Sequence, residues 1–218
     1  MLELQSLRYH PATAGTPVLC DVGMQLPSGE PGLVAGRSGS GKTTLLELIA
    51  GLANPDSGRI LWQGERLSAR QRRWLCGLVF QFPERHFLGL SVGQELQLGQ
   101  RRLSGERISE VLEQVGLTGL NPRERPERLS GGQQRRLALA VQLLRDPKVL
   151  LLDEPTAGLD WSVRDEVLEL LQRLARDRAL LVVTHEPDLF QGWISHAWQL
   201  QDGRLVAAQT PKQPISLR

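Results

Sequence analysis

A glycine-rich segment between two apolar stretches restricts the fold of this chain more than any other feature. Residues 32–35 (GLVA) read as a short buried strand, and residues 36–43 (GRSGSGKT) follow it directly and fit the pattern G-x-x-x-x-G-K-[ST]. Apolar side chains at helical spacing fill residues 45–52, with Gly51 and Pro55 as stop signals. The sequence therefore predicts a strand, a tight loop and a helix in succession.

This loop carries the groups that bind phosphate. Its glycines allow the backbone to wrap with N–H groups pointing inward, and the helix N-terminus adds positive partial charge. Lys42 can reach the β- and γ-phosphates of a nucleotide, and the Thr43 hydroxyl can ligate Mg²⁺. We interpret residues 36–43, called the phosphate loop below, as a nucleotide site rather than a glycine turn without a ligand.

The composition is that of a folded protein with a weak overall charge. Of the 218 residues, 40% are hydrophobic and 23% are charged, and the formal net charge is only +2. Such a charge gives no strong field for nucleic acid, so we expect no nucleic acid partner. Cys20 and Cys76 lie far apart and lack metal-ligand spacing, which indicates a reducing compartment rather than a disulfide framework.

The apolar runs are short. The longest, such as residues 149–152 and 180–183, are far below the ~20 residues needed to cross a bilayer. The N-terminus also lacks the basic and then apolar run of a signal peptide. We therefore expect any contact with a membrane to go through a partner.

Strand and helix patterns alternate along the chain. The predicted strands lie within residues 2–26 (two strands), 32–35, 58–67 (a pair), 76–80, 149–152, 180–184 and 198–207 (a hairpin). Helical spacing follows the phosphate loop, fills residues 91–128, and resumes at Ser130 and Ser162. This alternation predicts an α/β fold with a mostly parallel sheet covered by helices.

The apolar strand at residues 149–154 (VLLLDE) ends in two acids. Unpaired carboxylates are costly to desolvate, so packing alone does not explain them. Asp153 would hold Mg²⁺ through its water shell, and Glu154 would orient or deprotonate an attacking water. The two acids therefore predict hydrolysis of the nucleotide.

Another glycine pair opens the helix at residues 129–136 (LSGGQQRR). Ser130 and Gln133 form a predicted capping box. A capped helix N-terminus with two glycines, Gly131 and Gly132, is also a second anion site. One phosphate needs only one such cradle, so the second one suggests that another subunit's nucleotide docks here.

Polar residues follow several of the predicted strands directly. The phosphate loop, Gln81, residues 153–154 and His185 all have this position. Taken singly, Gln81 could be a loop residue and His185 a capping or core histidine. Because ligands bind outside the carboxyl ends of the strands in an open parallel sheet, we expect all four features to form one site.

These motifs together resemble the nucleotide-binding domain of the ATP-binding cassette (ABC) family, nearly from end to end. The matching segments are the Walker A loop (36–43), the Q-loop glutamine (Gln81), the signature (129–133), the Walker B strand (149–154), the D-loop (157–160) and the switch histidine (His185). The resemblance implies a P-loop NTPase fold of ABC type, with a mostly parallel sheet core, N-terminal antiparallel strands and a small helical subdomain.

The resemblance also implies a role for each matching residue. Glu154, His185 and Gln81 would be catalytic, and Thr43, Gln81 and Asp153 would hold Mg²⁺. The residues expected to contact ATP are Tyr9, whose ring would stack on adenine, Gly36, Arg37, Ser38, Gly39, Ser40, Gly41, Lys42, Thr43, Thr44, Ser130, Gly131, Gly132, Gln133 and Asp160.

The family organisation applied to this chain gives a single ATPase domain over residues 1–218. Its core would comprise about residues 1–85 and 146–218, and its helical signature subdomain about residues 86–145. Two such subunits, identical or different, would pair head to tail. Each ATP would then lie between the phosphate loop of one subunit and the signature of the other.

By the same resemblance the chain would be the ATPase subunit of an ABC transporter, held at the cytoplasmic side of a membrane by a transmembrane subunit. That subunit would dock near residues 81–95, where residues 82–88 (FPERHFL) offer aromatic and apolar anchors. Residues 77–98 also resemble the cobalt and energy-coupling-factor importers of metal ions or vitamins. Phe82 and His86 depart from the Asn and Gln often found in that subfamily.

Two other uses of such an ATPase stay open from the sequence. The soluble ABC ATPase of iron–sulfur cluster assembly has a similar single domain and no membrane partner. The DNA-repair type needs a long coiled-coil insertion between the Q-loop and the signature, and only a short lobe fits between Gln81 and Leu129.

Overall fold

A computed structural model describes residues 1–100 and 103–208 of the chain. The strands are β1 (Leu2–Tyr9), β2 (Leu19–Leu26), β3 (Gly32–Ala35), β4 (Ser57–Trp62), β5 (Glu65–Arg66), β6 (Cys76–Val79), β7 (Val149–Asp153), β8 (Ala179–Thr184), β9 (His196–Gln201) and β10 (Arg204–Ala207). The helices are α1 (Lys42–Ala50), α2 (Ala69–Leu75), α3 (Val92–Gln97), α4 (Gly105–Gln114), α5 (Gly131–Leu143) and α6 (Trp161–Leu174). Short 3-10 segments lie at Pro83–His86, Pro126–Arg128 and Pro187–Phe190.

The central sheet has six strands in the order β10-β9-β3-β8-β7-β6. Strands β9, β3, β8, β7 and β6 pair in parallel, and β10 is an antiparallel partner of β9 at one edge. The predicted hairpin at residues 198–207 is this β9-β10 pair, with Asp202 and Gly203 both at positive φ in its turn. The prediction of a mostly parallel sheet is confirmed.

Both faces of the central sheet are buried, which explains the near-continuous apolar sequence of its strands. The face toward α3, α4, α5 and α6 carries Leu33, Leu150, Leu152, Leu180 and Val182. The opposite face carries Val34, Val149, Leu151, Leu181 and Val183. The second set packs with α1 and with the antiparallel sheet β2-β1-β4-β5, so the predicted N-terminal antiparallel strands are also confirmed.

None of the helices within residues 1–100 and 103–208 is long and apolar enough to cross a bilayer. Cys20 and Cys76 are free thiols. Burial raises the pKa of the Cys76 thiol to about 12, so at neutral pH it stays protonated and behaves as a small apolar residue.

Two local predictions differ from the structure. Helix α2 was not predicted, because its sequence is rich in arginine and its start depends on the capping box of Ser68 and Gln71 rather than on an apolar stripe. The apolar side chains at helical spacing extended to Leu52, but helix α1 ends at Ala50. Gly51 then caps the helix at φ +77°, and the Leu52 side chain is 56% exposed.

A close approach between β1 and β4 requires a glycine at position 58. The pairing of the two strands is irregular between Gln5 and Arg8, and Ser6 there has φ +49°. At Gly58 φ is +93°, and a Cβ atom would lie 2.5 Å from the Ser6 carbonyl oxygen. At Gly64 φ is also positive, at +85°, but nothing lies within 4 Å of a Cβ atom.

We expect Gly58→Ala to lower the free energy of unfolding more than Gly64→Ala does. Both variants place alanine in the left-handed region, which costs about 1–2 kcal/mol. Only Gly58→Ala also forces the β1 backbone to move, which adds about 1–3 kcal/mol. Urea denaturation of both variants measures the difference, and equal losses would contradict the close approach.

Candidate active site

The phosphate loop connects β3 to α1 at the carboxyl edge of the central sheet. The Gly36 amide donates to the Thr184 carbonyl at 3.2 Å, which ties the start of the loop to the end of β8. Gly39 and Gly41 have φ values of +78° and +98°, as the turn requires. The Ser40 hydroxyl is buried and has no hydrogen-bond partner among the described residues. An orphaned buried hydroxyl inside such a loop suits a phosphate oxygen as its partner.

Lys42, the first residue of α1, is a buried cation. Its Nζ atom donates to the carbonyl oxygens of Gly36 at 2.8 Å and Arg37 at 3.2 Å, and lies 3.5 Å from Glu154 Oε1. Both side chains of the Lys42–Glu154 pair are only 7% exposed. Removing either charge alone would leave the other buried and unpaired, which is strongly unfavourable.

Glu154 is held at both ends of its carboxylate. Its Oε1 atom lies 2.9 Å from His185 Nδ1, as well as near Lys42. Its Oε2 atom accepts hydrogen bonds from the Thr184 hydroxyl at 2.8 Å and the His185 amide at 3.2 Å. The backbone of Glu154 is at φ +46°, a conformation that costs a non-glycine residue about 1–3 kcal/mol. Strain of this kind is common where a side chain must point in one direction.

Thr184 was missed in the sequence. It is fully buried at the end of β8, donates to Glu154 and accepts from the Glu186 amide at 3.0 Å. Its position directly before His185 was the only available signal. A threonine that ends an apolar strand looks like an ordinary β-strand residue, so the pattern did not single it out.

Asp153 and Thr43 form a second polar contact beside the first. The Thr43 hydroxyl donates to Asp153 Oδ2 at 2.6 Å. Burial raises the pKa of Asp153, and Glu154 raises it further, whereas the hydrogen bond from Thr43 and the charge of Lys42 lower it. A hydroxyl and a carboxylate side by side are the hard oxygen donors that Mg²⁺ prefers, and Mg²⁺ usually takes only one or two protein ligands. The described residues contain no group of three or more acids, histidines or cysteines that could hold a metal.

The structure thus brings together the ends of β3, β8 and β7, as the sequence predicted. Gln81 follows β6, the next strand in the sheet, and its carbonyl accepts from Arg135 Nη2 at 3.0 Å. No hydrogen bond of the Gln81 side chain is present within the described residues. Its catalytic and metal-binding roles remain predictions.

The signature residues lie apart from this cluster. Ser130 and Gln133 form the predicted capping box of α5: the Ser130 hydroxyl accepts from the Gln133 amide, and the Gln133 side chain accepts from the Ser130 amide. Ser130 and Gly131 are exposed. Gly132 is buried, and a Cβ atom there would lie 2.3 Å from Val163 of α6. Within the described residues, no hydrogen bond links this segment to the phosphate loop of the same chain.

The remaining residues predicted to contact the nucleotide are Asp160, Thr44 and Tyr9. Asp160 is exposed and precedes α6 without a side-chain cap, and Thr44 is half-buried in α1. Tyr9 is half-buried at the end of β1, where its carbonyl accepts from the Val18 amide at 2.9 Å. Val18 lines a pocket of about 530 Å³ together with part of the phosphate loop and the β9-β10 turn. Stacking of Tyr9 on adenine is still a prediction.

Comparison with known proteins agrees with this geometry. The family model described as ABC transporter matches residues 19–157. This chain belongs to the ABC transporter family, as one of its ATP-binding subunits. ABC transporter I family member 11, chloroplastic, of Arabidopsis thaliana is 38% identical to this ABC subunit, over 96% of the chain and 81% of that protein. The energy-coupling factor transporter ATP-binding protein EcfA2 of Symbiobacterium thermophilum is 37% identical, over 100% of the chain and 80% of that protein.

Solved structures confirm the predicted ABC fold. The structure of cbiO1 from Clostridium perfringens, part of the ABC transporter complex cbiONQ, has a TM-score of 0.85 and 30% identity, over 96% of this chain and 88% of that one. The dimeric post-hydrolysis state of the ATP-binding cassette MJ0796, bound to ADP and Pi, has a TM-score of 0.83 and 26% identity, over 97% of this chain and 99% of that one. The family resemblance, including that to the cobalt and energy-coupling-factor importers, is therefore confirmed.

The raised pKa of Asp153 predicts that its charge destabilises the chain without nucleotide or metal. The native state then holds the Asp153 proton more tightly than the unfolded state. The contribution of Asp153 to the free energy of unfolding therefore falls as pH rises through the native pKa. We expect Asp153→Asn to raise the melting temperature in EDTA at pH 7.5, with a gain that shrinks toward pH 4.

Asp177 provides a control of opposite sign. The hydrogen bond from Arg178 lowers its pKa, so this aspartate stabilises the fold above the ordinary carboxyl pKa, and the stabilisation is lost as pH falls through the native value. Asp177→Asn is therefore expected to lower the melting temperature at pH 7.5, and the deficit should vanish in acid. Shifts of the same sign for both variants would contradict the assignment.

Proposed function

We propose that this chain binds ATP in its phosphate loop and hydrolyses it to drive transport through a separate membrane subunit. The observation that carries the proposal is the buried contact of Lys42 with Glu154, beside the Thr43–Asp153 pair. This arrangement puts a phosphate-binding cation and a carboxylate base at the same edge of the sheet. The homologues support the transport half of the proposal through their names.

Binding of ATP would begin with the backbone of the phosphate loop. Its N–H groups and the N-terminus of α1 would surround the phosphates. Lys42 would exchange the Gly36 and Arg37 carbonyls and Glu154 for phosphate oxygens. This exchange would free Glu154 at the moment when the nucleotide arrives. The nucleotide would thus switch on its own general base.

Thr43 and Asp153, with Gln81, would hold Mg²⁺, which when bound neutralises charge on the phosphates. The two oxygens already lie 2.6 Å apart, so the side chains need little rearrangement to serve one ion. Gln81 would complete this set from the neighbouring strand β6. Its carbonyl is fixed by Arg135, and no other described residue forms a hydrogen bond with its side-chain amide.

Glu154 would orient the attacking water and accept its proton. The carboxylate is kept in place by the Thr184 hydroxyl and the His185 amide, so its direction does not depend on Lys42. The His185 ring is half-exposed and contacts the same carboxylate through Nδ1. From that position His185 would sense the γ-phosphate and stabilise the charge that develops on it.

A second cassette would complete the site. Ser130, Gly131 and Asp160 are exposed, and the hydrogen bonds of Ser130 and Gln133 stay within the α5 cap. Ser130, Gly131 and Asp160 would meet the nucleotide of a partner subunit, identical or different, in a head-to-tail pair. The similar cassette MJ0796 is dimeric in its ADP- and Pi-bound structure, which supports this arrangement.

The transmembrane subunit would dock on the segment after Gln81. Phe82, Leu88 and Leu90 expose 40%, 81% and 76% of their surfaces. The buried carboxylate of Glu95 accepts from the Leu88 amide at 2.8 Å and the Gly89 amide at 2.6 Å, which fixes the loop that presents these side chains. Such a preformed apolar surface suits a helix of a membrane protein. The chain would thereby lie at the cytoplasmic side of the membrane.

The substrate class rests on resemblance to other proteins alone. Proteins similar to this chain are named as ATP-binding subunits of energy-coupling factor transporters, and one solved neighbour is part of the complex cbiONQ. Because residues 77–98 resemble the cobalt and energy-coupling-factor importers of metal ions or vitamins, we propose an importer of one of these substrates. The domain division, with a core of about residues 1–85 and 146–218 and a signature subdomain of about residues 86–145, is part of the same proposal.

Hydrolysis is tested by Glu154→Gln. We expect the variant to retain ATP binding within about threefold and to lose turnover by about 100-fold or more, because the general base is gone. Glu169→Gln, which removes an exposed carboxylate of α6, is the matched control and should turn over ATP normally. Steady turnover by Glu154→Gln at the wild-type rate in the assembled complex would overturn the assignment.

Docking is tested by co-purification from detergent-solubilised membranes. The tagged chain should retain a protein with several transmembrane helices, and Leu88→Glu with Leu90→Glu should abolish the association by placing charges in an apolar interface. Val206→Glu changes another exposed side chain, far along the chain on β10, and should leave the association intact. Retention of a purely soluble partner would instead favour the iron–sulfur assembly class.

A further inference from the structure

Arg135 is a buried cation on α5 that the functions assigned above do not use. It lies one helical turn after Gly131, and only 5% of its surface is exposed. Nη1 donates to the carbonyl of Glu154 at 2.8 Å, and Nη2 donates to the carbonyls of Gln81 at 3.0 Å and Ala157 at 3.1 Å. One guanidinium thus holds three backbone carbonyls on two loops, the loop after β6 and the loop after β7.

Each of these loops carries a part of the proposed site. Gln81 follows β6, Glu154 follows β7, and Ala157 opens the turn that leads to Asp160 and α6. The arginine itself belongs to the helix that begins with the signature glycines. Since a helix moves as a rigid element, a shift at its N-terminus displaces the guanidinium and the three carbonyls with it.

The contact with Glu154 has a specific geometric effect. The Glu154 amide donates to the Val183 carbonyl at 2.9 Å, and its own carbonyl accepts from Arg135 and from the Ala157 amide at 3.1 Å. Both backbone polar groups of this left-handed residue are therefore held. This restraint fixes the backbone position from which the carboxylate reaches Lys42 and His185.

Burial of Arg135 is unfavourable for stability. Desolvation lowers the pKa of the guanidinium, and the nearby carboxylate of Glu84 partly offsets this. The Nε atom has no hydrogen-bond partner among the described residues. An apolar side chain would avoid both penalties, so the hydrogen bonds to the two loops are the feature that a methionine could not reproduce.

We propose that Arg135 is a positioning residue that couples the signature end of α5 to Gln81 and Glu154. Binding of a second cassette to Ser130 and Gly131 would thereby position the backbone of the general base, Glu154, and the backbone of Gln81 at the same time. This proposal rests on the proposed function, because it assigns a positioning role within that ATPase site. Arg135 itself touches neither ATP nor the attacking water.

Arg72 offers a matched control for the structural effect of losing a buried arginine. It is 3% exposed and donates to the carbonyls of Leu48 and Ala53 and to the side chain of Asn54, away from the phosphate loop. Arg72→Met removes a comparable set of buried hydrogen bonds. Any effect common to Arg72→Met and Arg135→Met reflects stability alone.

The test combines hydrogen exchange with ATP kinetics on the full chain. In Arg135→Met, amide exchange should rise in both residues 82–86 and 155–159, whereas Arg72→Met should leave these segments unchanged. The turnover number of Arg135→Met should fall by about 10-fold to 100-fold because the base is misplaced, while its ATP dissociation constant stays within about threefold. Arg135→Lys keeps the charge and should give an intermediate rate, and it serves for every measurement if Arg135→Met does not fold.

The outcomes separate the two proposals. No local rise in exchange, the same rise in Arg72→Met, or a rise without loss of turnover would each overturn the positioning role. Absence of turnover in the wild-type chain and in its assembled complex would overturn the ATPase instead. The exchange data would then still decide whether Arg135 holds the two loops.

Discussion

The buried contact between Lys42 and Glu154 is the constraint on which the rest of this structure depends. Two opposite charges, each 7% exposed, are stable in the interior only with each other and with further hydrogen bonds. Those bonds come from the loop after β3, from Thr184 at the end of β8 and from His185. The parallel order of β3, β8 and β7 brings the loops that follow these three strands to one edge. The buried ion pair is therefore stable only because the parallel strand order brings its hydrogen-bond partners to the same edge of the sheet.

The chain carries two separate parts of the proposed ATPase site, the phosphate-loop cluster and the signature residues. The phosphate loop, Asp153 and Glu154 contact one another within a single chain. The signature residues Ser130 and Gly131 are exposed, at the start of a well-capped helix. In the proposed head-to-tail pair, a second cassette would supply the surface that completes this site. Arg135 links the two parts through backbone carbonyls rather than through the nucleotide.

Much of the fold and part of the site could be predicted from the sequence, for physical reasons. Residues 149–154 combine a strand buried on both faces with two acids. The phosphate loop combines glycines, a lysine and a threonine at fixed positions between a strand and a helix. Both patterns were therefore recognised in the sequence. Thr184, Arg135 and helix α2 were missed. Arg135 meets Glu154 and Gln81 across 19 and 54 positions of sequence, and no periodicity reports such contacts. The start of α2 depends on a two-residue cap, and its arginines conceal its buried side.

The most direct measurement is the structure of the chain bound to a non-hydrolysable ATP analogue. The quantity of interest is the distance from Lys42 Nζ to Glu154 Oε1, which is 3.5 Å in this structure. If nucleotide binding releases the general base, Nζ will contact phosphate oxygens and this distance will exceed hydrogen-bonding range. A nucleotide bound elsewhere, with Lys42 still on Glu154, would contradict the account.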